Sequence, residues 1–272
     1  MKNSCFPLGY RKAPLACASS ILSLGLLMMF IGHPLPAHAQ SKELHIAAAS
    51  DLQPVLPALA AEYEHATGVK VIPSFGSSAT LTQQLTNGDP QDVFLSADYV
   101  HPEELVAAGL TTEKAPIPYA HGVLVLWARH DSPAQPLTLN MLTSPKVKKI
   151  AIANGLHAPY GLAADKALQN LNLTDKVSAK LVVAENIAQT AQFAESGNAQ
   201  AGLISLTIAS SPHFRSLGTF VRIPTDTYPE IRQCAVILKS SKNQEEAEKF
   251  LHWLTSPNVQ QRLKKFGLDP AE

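Results

Sequence analysis

Cysteine is scarce in this chain. There are three among 272 residues, and two of them, Cys5 and Cys17, lie in a stretch with the features of a secretory leader. Lys2, Arg11 and Lys12 precede an apolar run from Ala13 to Ile31; Pro34 and Pro36 follow, then Ala37-His38-Ala39, an A-x-A cleavage site before Gln40. The apolar run is about long enough to span a bilayer, but its A-x-A end favours removal over anchoring. Cys17 precedes most of the run, which disfavours a lipoprotein. Cleavage leaves 233 residues and a single thiol, Cys234, so an exported product has no internal disulfide and its core holds the fold unaided.

Other absences are equally restrictive. The leader carries three basic and no acidic side chains; the remainder has 19 basic against 22 acidic residues and a formal charge of −3. No basic excess speaks for a nucleic-acid partner. There is no G-x-S-x-G nucleophile elbow, because Gly76-Ser77-Ser78-Ala79 does not fit it. The histidines at 45, 65, 101, 121, 130, 157, 213 and 252 have no metal-ligand spacing. His101 with Glu103 and Glu104 reads as a solvated helix face, and no tyrosine cluster suggests an iron site. Neither a solenoid-length repeat nor a low-complexity tract occurs.

What remains is a regular alternation of short apolar runs and amphipathic runs, the pattern of an α/β protein with largely parallel strands. Strands are predicted over 43–49, 69–75, 92–95, 123–128, 149–153, 181–184, 201–205, 219–223 and 233–239. Helices are predicted over 52–66, 79–86, 99–108, 160–170, 187–195, 244–254 and 257–266. The Pro-rich stretch 116–122 and the turn-rich stretch 224–232 break the rhythm and read as two crossings between lobes. The expected organisation is a leader at 1–39, a discontinuous first lobe at 41–120 plus 230–272, and an inserted second lobe at 121–229.

Four strand-to-helix junctions stand out. The first two are Ala47-Ala48-Ala49-Ser50-Asp51 and Ser74-Phe75-Gly76-Ser77-Ser78-Ala79; the others are Ile152–Gly161 and Val182–Ala188. Ser and Asn favour helix N-caps, and free N–H groups with positive potential gather at helix starts. A serine at a helix start is most often only a cap. Four such starts facing one cleft, with no Arg among them, make an anion site of neutral donors. Charge-assisted hydrogen bonds contribute about 1.5–3 kcal/mol each, so six or seven suffice for the roughly 8–12 kcal/mol of micromolar-to-nanomolar binding. Neutral donors also predict an affinity nearly independent of pH between about 6 and 8. Asp51 is the discordant member, since a carboxylate beside a dianion repels it; the reading that spares the site has it cap its helix with the side chain turned outward, lending only its N–H.

The motifs Ala47-Ala48-Ala49-Ser50, Ser74–Leu81 and Asp92-Val93-Phe94-Leu95-Ser96-Ala97-Asp98 closely resemble the periplasmic molybdate-binding proteins of ABC transporters. The similarity continues through Ala158-Pro159-Tyr160-Gly161, Ala201-Gly202-Leu203-Ile204 and Phe266-Gly267. The resemblance implies a two-lobed type II periplasmic-binding-protein fold, each lobe a mostly parallel sheet flanked by helices with the ligand between them. It implies a monomeric, non-enzymatic receptor that takes molybdate, and tungstate, to a membrane permease. No cofactor is implied, and molybdenum enters only as the bound oxyanion. Carried over by position, the ligand set is Ser50, Asp51, Ser78, Tyr160 and Ile187, with Ser77 and Ser205 as further candidates. Ser205 stands where some members place a binding tyrosine, so either it or Tyr160 is expected to supply the second-lobe hydroxyl. Alternatives are a same-fold receptor for another small oxyanion or an organic acid, or an enzyme on this fold. An organic acid calls for an Arg clamp, and Arg129, Arg215, Arg222 and Arg232 lie away from the junctions.

Overall fold

The computed structural model describes residues 42–271, so the leader and its cleavage site lie outside the described residues. Among the described residues, eleven strands form two sheets. β1 (Glu43–Ala49), β2 (Lys70–Gly76), β3 (Val93–Ser96), β4 (Ile117–Gly122), β10 (Ile231–Ile237) and β11 (Asp269–Pro270) make a six-stranded sheet in the order β11-β4-β10-β3-β1-β2. β5 (Leu124–Arg129), β6 (Ile150–Ala153), β7 (Leu181–Ala184), β8 (Ala201–Ser205) and β9 (Gly218–Arg222) make a five-stranded sheet in the order β7-β6-β8-β5-β9. Both sheets are mixed. Parallel pairing joins β1 to β2 and β3, and β6 to β7 and β8, whereas β4, β5, β9, β10 and β11 pair antiparallel. The parallel members are those joined by helices, as crossover connections require. The antiparallel members surround the two places where the chain passes between the sheets.

The helices are α1 (Leu56–Thr67), α2 (Ser78–Thr86), α3 (Val100–Ala107), α4 (Pro159–Asn170), α5 (Thr174–Val177), α6 (Ile187–Glu195), α7 (Leu206–Ala209), α8 (Pro212–Leu217), α9 (Gln244–Leu254) and α10 (Pro257–Lys265). One apolar core fills the second sheet around Trp127, Tyr160 and Phe214, and two others lie around Tyr63, Phe250 and Leu56 and around Phe94 and Leu105 in the first sheet. Trp127 meets Phe214 edge-on with centroids 5.1 Å apart, and Tyr63 meets Phe250 at 5.2 Å; such pairs contribute about 0.5–1.5 kcal/mol beyond area burial. Cys234, on β10, is fully buried, and burial pushes its thiol up to about 12. Among the described residues no helix is long and apolar enough to cross a membrane.

Two predicted elements differ. The stretch 116–122 is not a plain break but holds strand β4; Pro118 is accommodated where the register with β10 shifts between Gln233 and Cys234, an irregularity that tolerates a missing N–H. The predicted helix 52–66 is instead a single 3-10 turn, Ser50–Leu52, followed by α1 from Leu56. Pro57 sets the later start, because proline is tolerated only in the first helical turn.

Candidate functional site

Strand register brings the junctions together. β1 and β2 pair in parallel from Glu43↔Lys70 to Ala49↔Gly76, so Ser50 and Ser77 leave the sheet side by side. β6 and β7 end level at Ala153↔Ala184, which starts α4 and α6 from one edge. Ser50, Asp51, Ser77, Ser78, Tyr160 and Ile187 line one small cleft together with Ala49, Gly76, Ala97, Ala158 and Pro159. No Lys, Arg or His is among these lining residues. Among the described residues, no group of three His, Cys, Asp or Glu side chains could hold a metal ion.

The two adjacent serines divide their work. Ser77 is the N-cap of α2: its Oγ accepts from Thr80 N–H at 3.3 Å and donates to Thr80 Oγ1 at 2.7 Å. Ser78 Oγ accepts from Ala97 N–H at 3.1 Å, which leaves its own proton free to donate. Ser50, 3% exposed, lines the same cleft. Asn186 caps α6 by accepting from Gln189 N–H at 3.0 Å, so the amide of Ile187 at the first helical position has no intrahelical acceptor.

The phenol of Tyr160 does not point at those serines. It donates to Asp51 Oδ2 at 3.1 Å and lies 3.2 Å from Gln233 Nε2, which donates to the same Asp51 oxygen at 2.6 Å. Tyr160 lines the cleft from the second position of α4, with its phenol committed to Asp51 and Gln233. Two glycines make this packing feasible. A Cβ on Gly161 would stand 2.5 Å from Ala153 O, and one on Gly122 would overlap the Tyr160 hydroxyl itself.

Ser205 is also otherwise engaged, and it does not line the cleft. It caps α7, accepting from Ile208 N–H at 3.4 Å, and lies 2.7 Å from Thr207 Oγ1, which donates to the backbone oxygen of Asp51 at 2.7 Å. Neither second-sheet hydroxyl named from the sequence is therefore free. Asp51 is a second correction. Its side chain caps no helix and does not turn to solvent; it is fully buried, and its Oδ1 has no hydrogen-bond partner among the described residues. Burial pushes its pKa up to about 7, against the lowering effects of the Gln233, Tyr160 and backbone hydrogen bonds. Gln233 and Thr207 were missed from the sequence. A glutamine inside the apolar run Ile231–Ile237 is the signal that could have found the first; a threonine in a four-residue helix offers none.

Elements of the two sheets also touch at the rim. Ala79 N–H donates to His157 O at 3.1 Å, Thr80 Oγ1 donates to Glu185 Oε1 at 3.2 Å, and His157 Nδ1 sits 3.2 Å from the same carboxylate oxygen.

The chain has clear relatives. A family model described as bacterial extracellular solute-binding protein matches residues 44–269. The molybdate-binding protein ModA of Azotobacter vinelandii is 36% identical over 250 residues, covering 90% of this chain and 97% of the relative. The Rhodobacter capsulatus ModA is 32% identical over 241 residues, covering 89% and 93%. The solved periplasmic molybdate-binding protein of Azotobacter vinelandii superposes with a TM-score of 0.77 at 32% identity, covering 84% of this chain and all of that one. Two mixed sheets with helix starts gathered at one cleft, and likeness along nearly the whole described chain, identify it as a bacterial extracellular solute-binding protein of the same family as the ModA molybdate-binding proteins.

Proposed function

We propose that this protein is the periplasmic receptor of an ABC importer and that it binds molybdate, and tungstate, in the cleft between two lobes. It is released from its leader before Gln40, acts as a monomer, delivers the anion to a membrane permease and catalyses no reaction. The first lobe is the six-stranded sheet with its helices and the second the inserted five-stranded sheet, with hinges at the crossings near Val123 and residues 223–230.

The observation that carries this reading is the donor set. Ser50 and Ser78 offer hydroxyls, and Ser78, Tyr160 and Ile187 offer backbone N–H groups, around a cleft lined by no cation. Such donors hold a small oxyanion without a fixed counter-charge. Ser77 serves as the cap of α2 and Ser205 as the cap of α7. Asp51 lines the cleft beside these donors, its carboxylate held by Tyr160 and Gln233.

A thermal-shift panel with molybdate, tungstate, sulfate, phosphate and vanadate tests the assignment, because a ligand that binds only the folded state raises the melting temperature by mass action. Molybdate and tungstate are expected to raise it and sulfate to leave it nearly unchanged. No shift with molybdate or tungstate would overturn the reading.

A further inference from the structure

Asp51 is placed unusually for a residue beside an anion site. It follows Ser50 directly and lines the same cleft, yet it is fully buried. One carboxylate oxygen accepts from both Tyr160 and Gln233, and the other accepts from nothing among the described residues. No cation acts on it. The carboxyl therefore stands buried among neutral groups, with one oxygen open to a proton, at the point where elements of both sheets meet.

We propose that Asp51 is a proton-carrying latch, so that closure of the protein over a dianion is accompanied by uptake of one proton onto the Asp51 carboxylate. This rests on the anion-binding reading above. The proton comes from the buffer acid and ends on Oδ1, forming the O–H bond there, while Oδ2 keeps its bonds from Tyr160 and Gln233. Neutralised, the carboxyl no longer repels the dianion and still ties α4 to β10. The carboxyl is already poised near neutrality by burial, and a dianion a few ångströms away disfavours its ionised form further. The latch predicts an affinity that depends on pH, where neutral donors alone predict one nearly independent of it.

The surroundings limit which other group could take the proton. The phenols of Tyr160 and Tyr119 are held well above their ordinary value, chiefly by burial, and the Cys234 thiol is pushed up to about 12. α7 has no titratable side chain. On α6 the one such group, Glu195, pairs with His213 at 2.6 Å, and on β2 Lys70 pairs with Glu43 at 3.0 Å. Asp98 pairs with His101 at 2.6 Å. The rival proton acceptor is His157, which pairs with Glu185 at the rim.

Isothermal titration of the mature protein with molybdate, in imidazole and in Tris at about pH 8, measures the proton count directly from the difference in buffer ionisation heats. Uptake approaching one proton per anion is expected. The Kd should rise by about tenfold per pH unit above about pH 7 and level off below about pH 6, because the free protein ionises there while the complex stays protonated. His157→Gln should keep both the uptake and the slope, and Asp51→Asn should abolish both. Binding with no uptake, or uptake lost in His157→Gln, overturns the latch while leaving the anion-binding reading intact. Absence of any molybdate heat overturns that reading as well. Should Asp51→Asn not fold, the wild type and His157→Gln decide the question.

Discussion

At the scale of single residues, Ser77 and Ser78 are adjacent, alike and both nearly buried, yet their bonds separate them. Ser78→Ala removes a hydroxyl whose proton is free and also orphans the Ala97 N–H that it accepts. Molybdate affinity is expected to fall by about 1–3 kcal/mol, the cost of leaving a charged acceptor short of one donor, or roughly 5- to 150-fold in Kd. Ser77→Ala removes a cap and is expected to cost stability of about 1 kcal/mol with a smaller change in Kd. Calorimetry and denaturant unfolding on the two variants check this pairing, and equal losses of affinity would refute the division of roles. The same comparison marks what was legible beforehand. The cleft-lining serines stand out because cap chemistry is local and short-range. The partners of Asp51 do not, because Gln233 lies 182 residues away and only the folded chain brings them together. Tyr160 could be placed near the cleft but not aimed, since backbone and phenol of one residue can face different neighbours.

At the scale of elements, most strand and helix positions follow from alternation and caps, and the differences trace to proline. In the sequence, Pro116 and Pro118 mask the strand-forming run of β4; its pairing depends on a register shift in β10 that no local pattern reports. The start of α4 depends on Gly161, which lets the helix approach the end of β6. Gly161→Ala would set a Cβ 2.5 Å from Ala153 O and 2.8 Å from Ala153 C, both backbone atoms of a buried strand that cannot yield cheaply. A stability loss of about 1–3 kcal/mol is expected, as for other overpacked sites, with weaker molybdate binding because the Tyr160 amide moves with the helix. Urea unfolding reads the first effect and calorimetry the second; a variant of unchanged stability would mean that the α4 start is not held by this contact.

At the scale of the whole molecule, two sheets exchange the chain through short crossings, and residues from both converge on the carboxyl ends of β1, β2, β6 and β7. That convergence is the general site of ligand binding in open α/β sheets, and it explains why so much of the candidate site lies at junctions and so little within elements. The lining has no fixed cation, so field strength comes from the placement of dipoles and not from net charge. Cys5 and Cys17 belong to the proposed leader, so the mature chain would carry a single thiol, sealed at the centre of β10 with its ionisation suppressed. Such a thiol is a built-in stopwatch: an alkylating reagent can consume it only while the first sheet is open. Labelling at about pH 8 should run at least a thousandfold slower than in denaturant, given the usual folded-to-unfolded ratios, and molybdate should slow it further. Rapid labelling without denaturant would reveal that β10 opens independently of the rest. The protein thus reports the population of its own open form without an introduced probe.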